Sequence, residues 1–443
     1  MNRTWNRYLP VFIQQLLTRR HLFQQSISNA GWLFVYNIIR KGLGLVVVIW
    51  VTRYLGPEKL GLLSYATAMV TLLSSALIGL DAIVVRNIVR NPSCRDETLG
   101  SAFVLKIAGG GIMFCLALAV AETLHPDNKL TLMLVAIIAI GMFFQSFNVI
   151  ECWFQSQILS KYSVYARTVA FVIISGIKIA LIFFHAPLTA FAWAGVAEII
   201  LGSIGLVIAY RIIGLYPENW RSTGKVARIL LRDSWPLMLS EIAIFIYICA
   251  DKIMIGETVG NTELGFYSVA TVVAEALFFI PLAVASTVFP SVVKAKEAGE
   301  EFFLLRLQQF YNLMALLAYA VALPVTFLSA WAIPYFFGSV YSKAVPMLVC
   351  LVWGGLFINL AIARSQYLTV LNWTRLLMTI DMLGCVLNVA VNYFLIPRYG
   401  GLGAAVTSII TYWFVAHGVC FVFKQLNQTG TMMTKAILYP KIW

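Results

Sequence analysis

The sequence predicts an all-α polytopic membrane protein, with about twelve transmembrane helices in two parallel six-helix halves around a central cavity. Three observations lead there. Apolar side chains are in excess of what a water-facing surface accommodates, apolar runs long enough to cross a bilayer recur along the chain, and an internal repeat divides it near its middle.

Of 443 residues, 60% are hydrophobic and 12% are charged, against about 25% charged in soluble domains. A soluble fold of this size needs a polar surface, whereas a lipid-facing surface does not. Aromatic residues make up 14% of the chain, and many sit at the ends of apolar runs, as interfacial belts require. A net charge of +13 in a soluble protein would point to nucleic acid; here the distribution of the charge carries the information, and no nucleic-acid partner is expected. The seven cysteines have neither metal nor redox spacing and read as small buried apolar residues. The four histidines are scattered. No metal site, no phosphate-binding glycine loop and no catalytic constellation is visible, so the chain reads as a non-enzyme without cofactor.

The hydrocarbon layer takes about 20 helical residues. Runs of that length are 29–51, 60–85, 100–121, 130–153, 164–184 and 188–210, and then 234–256, 264–289, 310–329, 344–366, 375–396 and 403–423. Residues 1–28 form a basic N-terminal segment whose Leu9–Leu17 stretch is weakly amphipathic and suits a membrane surface or a plain leader. The linker 211–233 joins the halves 29–210 and 234–423, and 424–443 is a C-terminal tail. Lysine and arginine orient the spans: 22 lie on the side of both termini and 5 on the other. Both termini are therefore expected in the cytoplasm of a bacterial inner (plasma) membrane. The outward loops are too short to fold an external catalytic domain.

Leu60-Gly61-Leu62-Leu63-Ser64-Tyr65-Ala66-Thr67 recurs as Leu264-Gly265-Phe266-Tyr267-Ser268-Val269-Ala270-Thr271, a shift of 204. Ser156-Gln157 matches Ser365-Gln366 at 209, and Ala194, Val196, Ile199 and Ile200 match Ala404, Val406, Ile409 and Ile410 at 210. Matches in one order at nearly one shift indicate a duplication. Six spans is an even number, so the halves enter the membrane the same way, related by an axis along its normal.

Charges inside the spans mark the functional positions. In the first span Tyr36, Asn37, Arg40 and Lys41 share a stripe; in the seventh, Ser240, Glu241, Tyr247, Asp251 and Lys252 do the same. Both stripes are expected to face the gap between the halves. Arg40 and Lys41 near mid-span each cost about 2.5–3.5 kcal/mol on a lipid-facing helix, so they need water, a partner or an anion. With Lys178 and Lys252 they make the interior cationic, which suits a phosphate, since arginine offers it a fork and lysine a point charge. The expected contacts to a phosphorylated, sugar-bearing ligand are therefore Arg40, Lys41, Lys178 and Lys252, with Tyr36, Asn37 and Tyr247 for hydroxyls. Carboxylates for proton or ion coupling are Glu275, Asp381, Glu241, Asp251 and Glu198. Lys178 and Glu198 are also placed to pair, as are Asp81 and Arg86. Lys106 and Arg364 read as anchors near a cytoplasmic end.

Several stretches carry a family likeness. Thr52-Arg53-Tyr54-Leu55-Gly56-Pro57-Glu58-Lys59-Leu60-Gly61 resembles the first outer loop of bacterial polysaccharide transporters, the O-antigen flippases. Glu151-Cys152-Trp153-Phe154-Gln155 resembles their fourth-span ending. Ala250-Asp251-Lys252-Ile253-Met254-Ile255-Gly256, with 264–270, resembles the start of their second half. Asn388 to Asn392 and Leu395-Ile396-Pro397-Arg398-Tyr399-Gly400-Gly401-Leu402-Gly403-Ala404-Ala405 are similar to their C-terminal signature. The resemblance spans roughly 29–423 and implies the fold of the multidrug/oligosaccharidyl-lipid/polysaccharide exporters. It implies as cargo an undecaprenyl-diphosphate-linked oligosaccharide, moved from the cytoplasmic to the periplasmic leaflet by alternating access and driven by a proton or sodium gradient. Membrane lipids, a glycan polymerase and a chain-length regulator are the implied partners. A cation-coupled multidrug antiporter is the alternative within the same superfamily.

Overall fold

The computed structural model describes the chain apart from residues 1–10, 279–280, 282–283, 286–287, 289–291, 293–294, 296–298, 372 and 442–443, and apart from the side chains of 11–39, 41, 369–370 and 374. The described residues form helices and turns, with no strand among them. In order they are α1 (Val11–Ser74), α2 (Gly79–Arg90), α3 (Arg95–Leu124), α4 (Lys129–Gln145), α5 (Val149–Ser156), α6 (Lys161–Phe183), α7 (Leu188–Ile212), α8 (Gly224–Thr258), α9 (Asn261–Leu277), α10 (Glu300–Phe337), α11 (Ala344–Val370), α12 (Thr374–Trp413) and α13 (Asn427–Leu438).

Eight helical segments among the described residues are long and apolar enough to cross a membrane, so the chain is a multi-pass membrane protein. Two of them are of double length, 49 and 48 residues, and each breaks at a glycine with positive φ. Gly56 (φ 73°) is followed by Pro57, and Gly400 (φ 59°) comes three residues after Pro397. Glycine takes that backbone region without a Cβ penalty, and proline removes a helical donor beside it. Two further expected spans, 234–256 and 264–289, fall on α8, which carries Glu241, Asp251 and Lys252, and, as far as Leu277, on α9; part of 278–289 lies outside the described residues.

The repeat is visible in backbone contacts. Gly56 and Gly260, 204 residues apart, both have positive φ and both open the second span of their half. A methyl group built on Gly61 would overlap the carbonyl oxygen of Asn261. One built on Gly265 would overlap that of Pro57. Adding 204 to 57 and 61 gives 261 and 265, so each half presents the same two positions to the other, as a twofold pseudo-symmetry demands. α1 and α9 cross there backbone to backbone.

Three apolar cores follow this plan. One belongs to the first half, around Leu99, Ile150, Phe154 and Tyr210. Another belongs to the second, around Phe310, Tyr311, Leu360 and Met433. The third joins both halves at the α1/α9 crossing, with Tyr65, Met69, Ile255, Leu264 and Tyr341. The linker is pinned rather than loose: Arg221 N–H donates to Asp96 O at 3.2 Å and Thr223 N–H to Ser101 Oγ at 3.2 Å. Residues after the last span also pack. Gln308 Nε2 donates to Met432 O (3.0 Å) and Tyr319 hydroxyl to Ile437 O (2.9 Å), which lays α13 along α10.

Candidate functional site

The first-half charges gather on one carboxylate. Arg40 (α1) donates to Glu198 Oε1 at 3.2 Å, and Lys178 (α6) to Glu198 Oε2 (α7) at 3.4 Å. The Arg40 guanidinium also lies 5.8 Å from the centre of the Phe171 ring. Their side chains are 43%, 24% and 19% exposed for Arg40, Lys178 and Glu198, so the cluster is reachable from one side. Burial along an apolar helix would be costly for either cation alone; a shared acid and a ring face offset part of that. The structure thus bears out the expected pairing of Lys178 with Glu198 and adds Arg40 to it, for which the sequence named no partner. The side chains of Tyr36, Asn37 and Lys41 lie outside the described residues, so these three positions are placed only as part of helix α1.

The second half holds a different arrangement. Asp251 (α8) is buried, 4% exposed. It accepts from Tyr267 hydroxyl at 2.7 Å, Asn392 Nδ2 at 2.6 Å and Ser408 Oγ at 3.1 Å. Asn392 also donates to Asn388 Oδ1 at 3.0 Å, and Asn388 Nδ2 lies 3.4 Å from Thr411 Oγ1. Buried carboxylates persist when hydrogen-bonded in this way. Its neighbour Lys252 lies 3.8 Å from Glu275 (α9).

Beside this network is a cavity of about 570 Å³. Tyr247, Lys252, Glu275, Arg364, Asp381 and Tyr412 contribute to its wall, and its described lining comes from α8, α9 and Phe278 just after it, α11, α12 and the π turn at Phe414–Gly418. Helix α8 packs closely on α12, and that packing turns Asp251 to the donors it needs and Tyr247 and Lys252 into a chamber whose described wall comes from the second half. Glu241 is half-buried on α8.

Three further charges are placed differently from the sequence reading. Lys106 is no surface anchor: it is 4% exposed and pairs with Asp81. Arg86 instead reaches Asp233, the last residue of the linker, at 2.5 Å. Arg364 is 1% exposed and donates to the carbonyls of Val415 and Ala416, at the π turn. A π turn leaves carbonyls outside the regular ladder, and an arginine within reach can satisfy them. The sequence missed one site altogether. Glu257 (α8) accepts from the Tyr65 hydroxyl (α1) and lies 3.0 Å from His125 Nε2, in the turn after α3. It ties the second half to two elements of the first. With it go Arg53 to Tyr335 O at 2.6 Å and Tyr341 hydroxyl to Thr52 O at 2.9 Å. All three ties lie at the end of the molecule that carries Gly56 and Gly260. Only the lone histidine at a loop and the acid after the seventh span could have hinted at the first of them.

Comparison with known proteins adds the family. The model of the family described as "Polysaccharide biosynthesis protein" matches residues 26–296. A Shigella flexneri protein named "Putative O-antigen transporter" is 25% identical over 413 residues, covering 86% of this chain and 93% of that one. Among solved structures, the lipid II flippase MurJ in an inward closed conformation superposes with a TM-score of 0.72 at 12% identity, covering 92% of this chain and 91% of that one. An inward-facing multidrug resistance MATE family transporter of the MOP superfamily gives 0.69 at 15% identity, covering 91% and 99%. At these identities the two structures speak to the fold, which is that of these transporters.

Proposed function

The chain belongs to the polysaccharide biosynthesis protein family, and from that premise we propose that it is a flippase for lipid-linked saccharides. Its cargo is an undecaprenyl-diphosphate-linked oligosaccharide repeat unit, carried from the cytoplasmic to the periplasmic leaflet of a bacterial inner membrane. The family, the name of the Shigella relative and the 22-to-5 distribution of basic residues support this reading and its orientation.

The observation that carries it is the shared carboxylate. Glu198 holds Arg40 and Lys178 together in an apolar bundle. A diphosphate competes with Glu198 for both cations. Its oxygens accept the arginine fork and the lysine point charge, and its greater charge makes it the stronger acceptor. Lys41, next along α1, adds a further cation. The polyprenyl tail stays in lipid while the headgroup occupies the protein. The pseudo-twofold halves then rock about the α1/α9 crossing, as parallel-repeat transporters do. The driving ion binds at Asp251, among the described residues the one buried carboxylate, whose partners (Tyr267, Asn392 and Ser408) come from two other helices. No covalent chemistry is required of the chain. A glycan polymerase and a chain-length regulator receive the product on the far leaflet.

The test is Arg40→Ala combined with Lys41→Ala in a strain lacking the wild-type chain. Surface glycan is expected to fall to background while the lipid-linked intermediate accumulates on the cytoplasmic leaflet. Full glycan display at normal membrane abundance of the variant refutes the proposal.

A further inference from the structure

We infer that the second-half cavity is a saccharide subsite, in which Asp381 and the Tyr247 and Tyr412 rings grip the sugars distal to the phosphate and set which repeat units pass. The inference rests on the flippase reading and assigns a separate place to the other end of the same cargo.

Four features of the cavity point to a polyhydroxylated ligand. First, its size, about 570 Å³, is that of an ordinary small-ligand pocket and exceeds what an ion needs. Second, its charges are mixed and spread. Lys252 faces Glu275 at 3.8 Å. Arg364 and Asp381 line another part of the wall, and no ion pair within 4 Å joins either to an opposite charge among the described residues. A diphosphate would be better served by a surplus of cations. A bound metal would need converging acids or imidazoles, and no group of three or more is found among the described residues. Hydroxyls both donate and accept, so a wall of alternating sign suits them.

Third, the wall is held in shape: the Arg364 guanidinium, 1% exposed, donates to the carbonyls of Val415 and Ala416 at the π turn, so the groups beside it are fixed before a ligand arrives. Fourth, the aromatic rings of Tyr247 and Tyr412 bound the cavity. They offer apolar faces to the C–H side of a pyranose and hydroxyls to its rim. Asp251 is the exception: its oxygens are already held by three donors, which leaves it outside the subsite. Arg364 acts here as a positioning residue, because its bonds to the π turn fix the wall that carries Tyr412 and Val415.

The experiment compares two cargoes in a strain that lacks the chain and makes its repeat unit. One background completes the repeat. The other lacks the glycosyltransferases after the first, so that the lipid carries a single sugar. Export of each is measured by labelling saccharide on the outer leaflet of spheroplasts, with wild type, Asp381→Asn and Tyr247→Phe at matched abundance. The expected result is a fall of roughly tenfold or more in the ratio of full-repeat to single-sugar export for Asp381→Asn, the size of one lost charged hydrogen bond, and a smaller fall for Tyr247→Phe. An unchanged ratio overturns the subsite, whether both cargoes fall together, as a folding or coupling defect would make them, or neither falls. A wild-type chain that exports neither cargo overturns the flippase reading itself. Efflux of ethidium altered in the variants, with saccharide export untouched, assigns the cavity to a cationic drug and overturns the inference.

Discussion

Removing Glu257 should open the end of the transporter at which the two halves meet. The carboxylate accepts from the hydroxyl of Tyr65 and lies 3.0 Å from His125 Nε2. Tyr65 is 1% exposed, so in Glu257→Ala its hydroxyl stays buried without that acceptor for as long as the halves remain closed. Such an orphan costs about 1–3 kcal/mol. The His125 and Glu257 side chains are 26% and 29% exposed, and a pair so placed adds only about 0.2–1 kcal/mol. Together the closed state loses about 1–4 kcal/mol relative to the open one, a shift of roughly 8- to 900-fold in the ratio of the two. The assay is pulsed electron spin resonance in lipid nanodiscs, with spin labels at Asp127 in the first half and Val340 in the second, in a cysteine-free background. Glu257→Ala should populate a long-distance state that wild type barely shows. Tyr65→Phe, which removes donor and orphan together, should do so less. Identical distance distributions in all three would refute the idea that this cluster holds the halves, and would leave that role to the Arg53 and Tyr341 ties and to the apolar core around the α1/α9 crossing.

Other expectations follow from the same geometry. Gly61→Ala and Gly265→Ala should each impair transport to a similar degree, because each places a methyl group against a carbonyl of the opposite half; cross-linking yield between Lys59→Cys and Thr262→Cys should fall in both. Asp81→Asn should lower thermal stability by about 3–5 kcal/mol, since it strands the charge of a lysine that is 4% exposed; Lys106→Met in the same chain should recover much of that loss in a melting experiment. Asn392→Ala removes the donor 2.6 Å from Asp251 and should cost about 1.5–3 kcal/mol, while also weakening the response of transport to an imposed ion gradient. Glu198→Gln should leave Arg40 and Lys178 with a neutral partner and increase retention of a fluorescent lipid diphosphate by the purified protein; unchanged retention would argue against competition for those two cations.

The scaffold was legible because it is written in quantities that sequence carries directly. Run length gives a span, lysine placement gives a side, and a shift of 204 gives a second copy. The glycines show this well: Gly56 and Gly260, Gly61 and Gly265 are fixed by backbone geometry that the duplication must repeat. Partners among embedded charges were less legible. Lys178 and Glu198 could be paired from their positions on successive spans, but that Arg40 would join them depends on the rotation of α1 against α6. Asp81 was matched with Arg86, five residues along, although five steps on a helix place two side chains well apart; the structure gives Lys106 to Asp81 and Asp233 to Arg86. Arg364 read as an anchor because it lies near a span end, and nothing in local sequence announces a π turn for its guanidinium to hold. Glu257, His125 and Tyr65 come from three separate segments, and only the closure of the halves brings them together.

The duplication also explains why the two halves do different work. At a shift of 210, Lys178 corresponds to Asn388 and Glu198 to Ser408. In the first half this pair of positions holds an ion pair that Arg40 completes. In the second, the same pair belongs to the neutral amide and hydroxyl network around Asp251. One copy therefore places two cations on a shared acid at these positions, and the other places an acid that is buried, the one such acid among the described residues, against the equivalent pair of helices. Under the proposed function this difference gives an anionic headgroup and a driving cation separate sites in one molecule, and each would shift the halves only through its different affinity for the two states. If the charges were exchanged, with Asn388→Lys and Ser408→Glu in the second half, Asp251 would face a lysine and a second acid. Coupling to the ion should then be lost while the headgroup site at Arg40 is untouched. Ion-gradient dependence that survives this double change, in a variant still exporting glycan, would show that the driving force enters elsewhere.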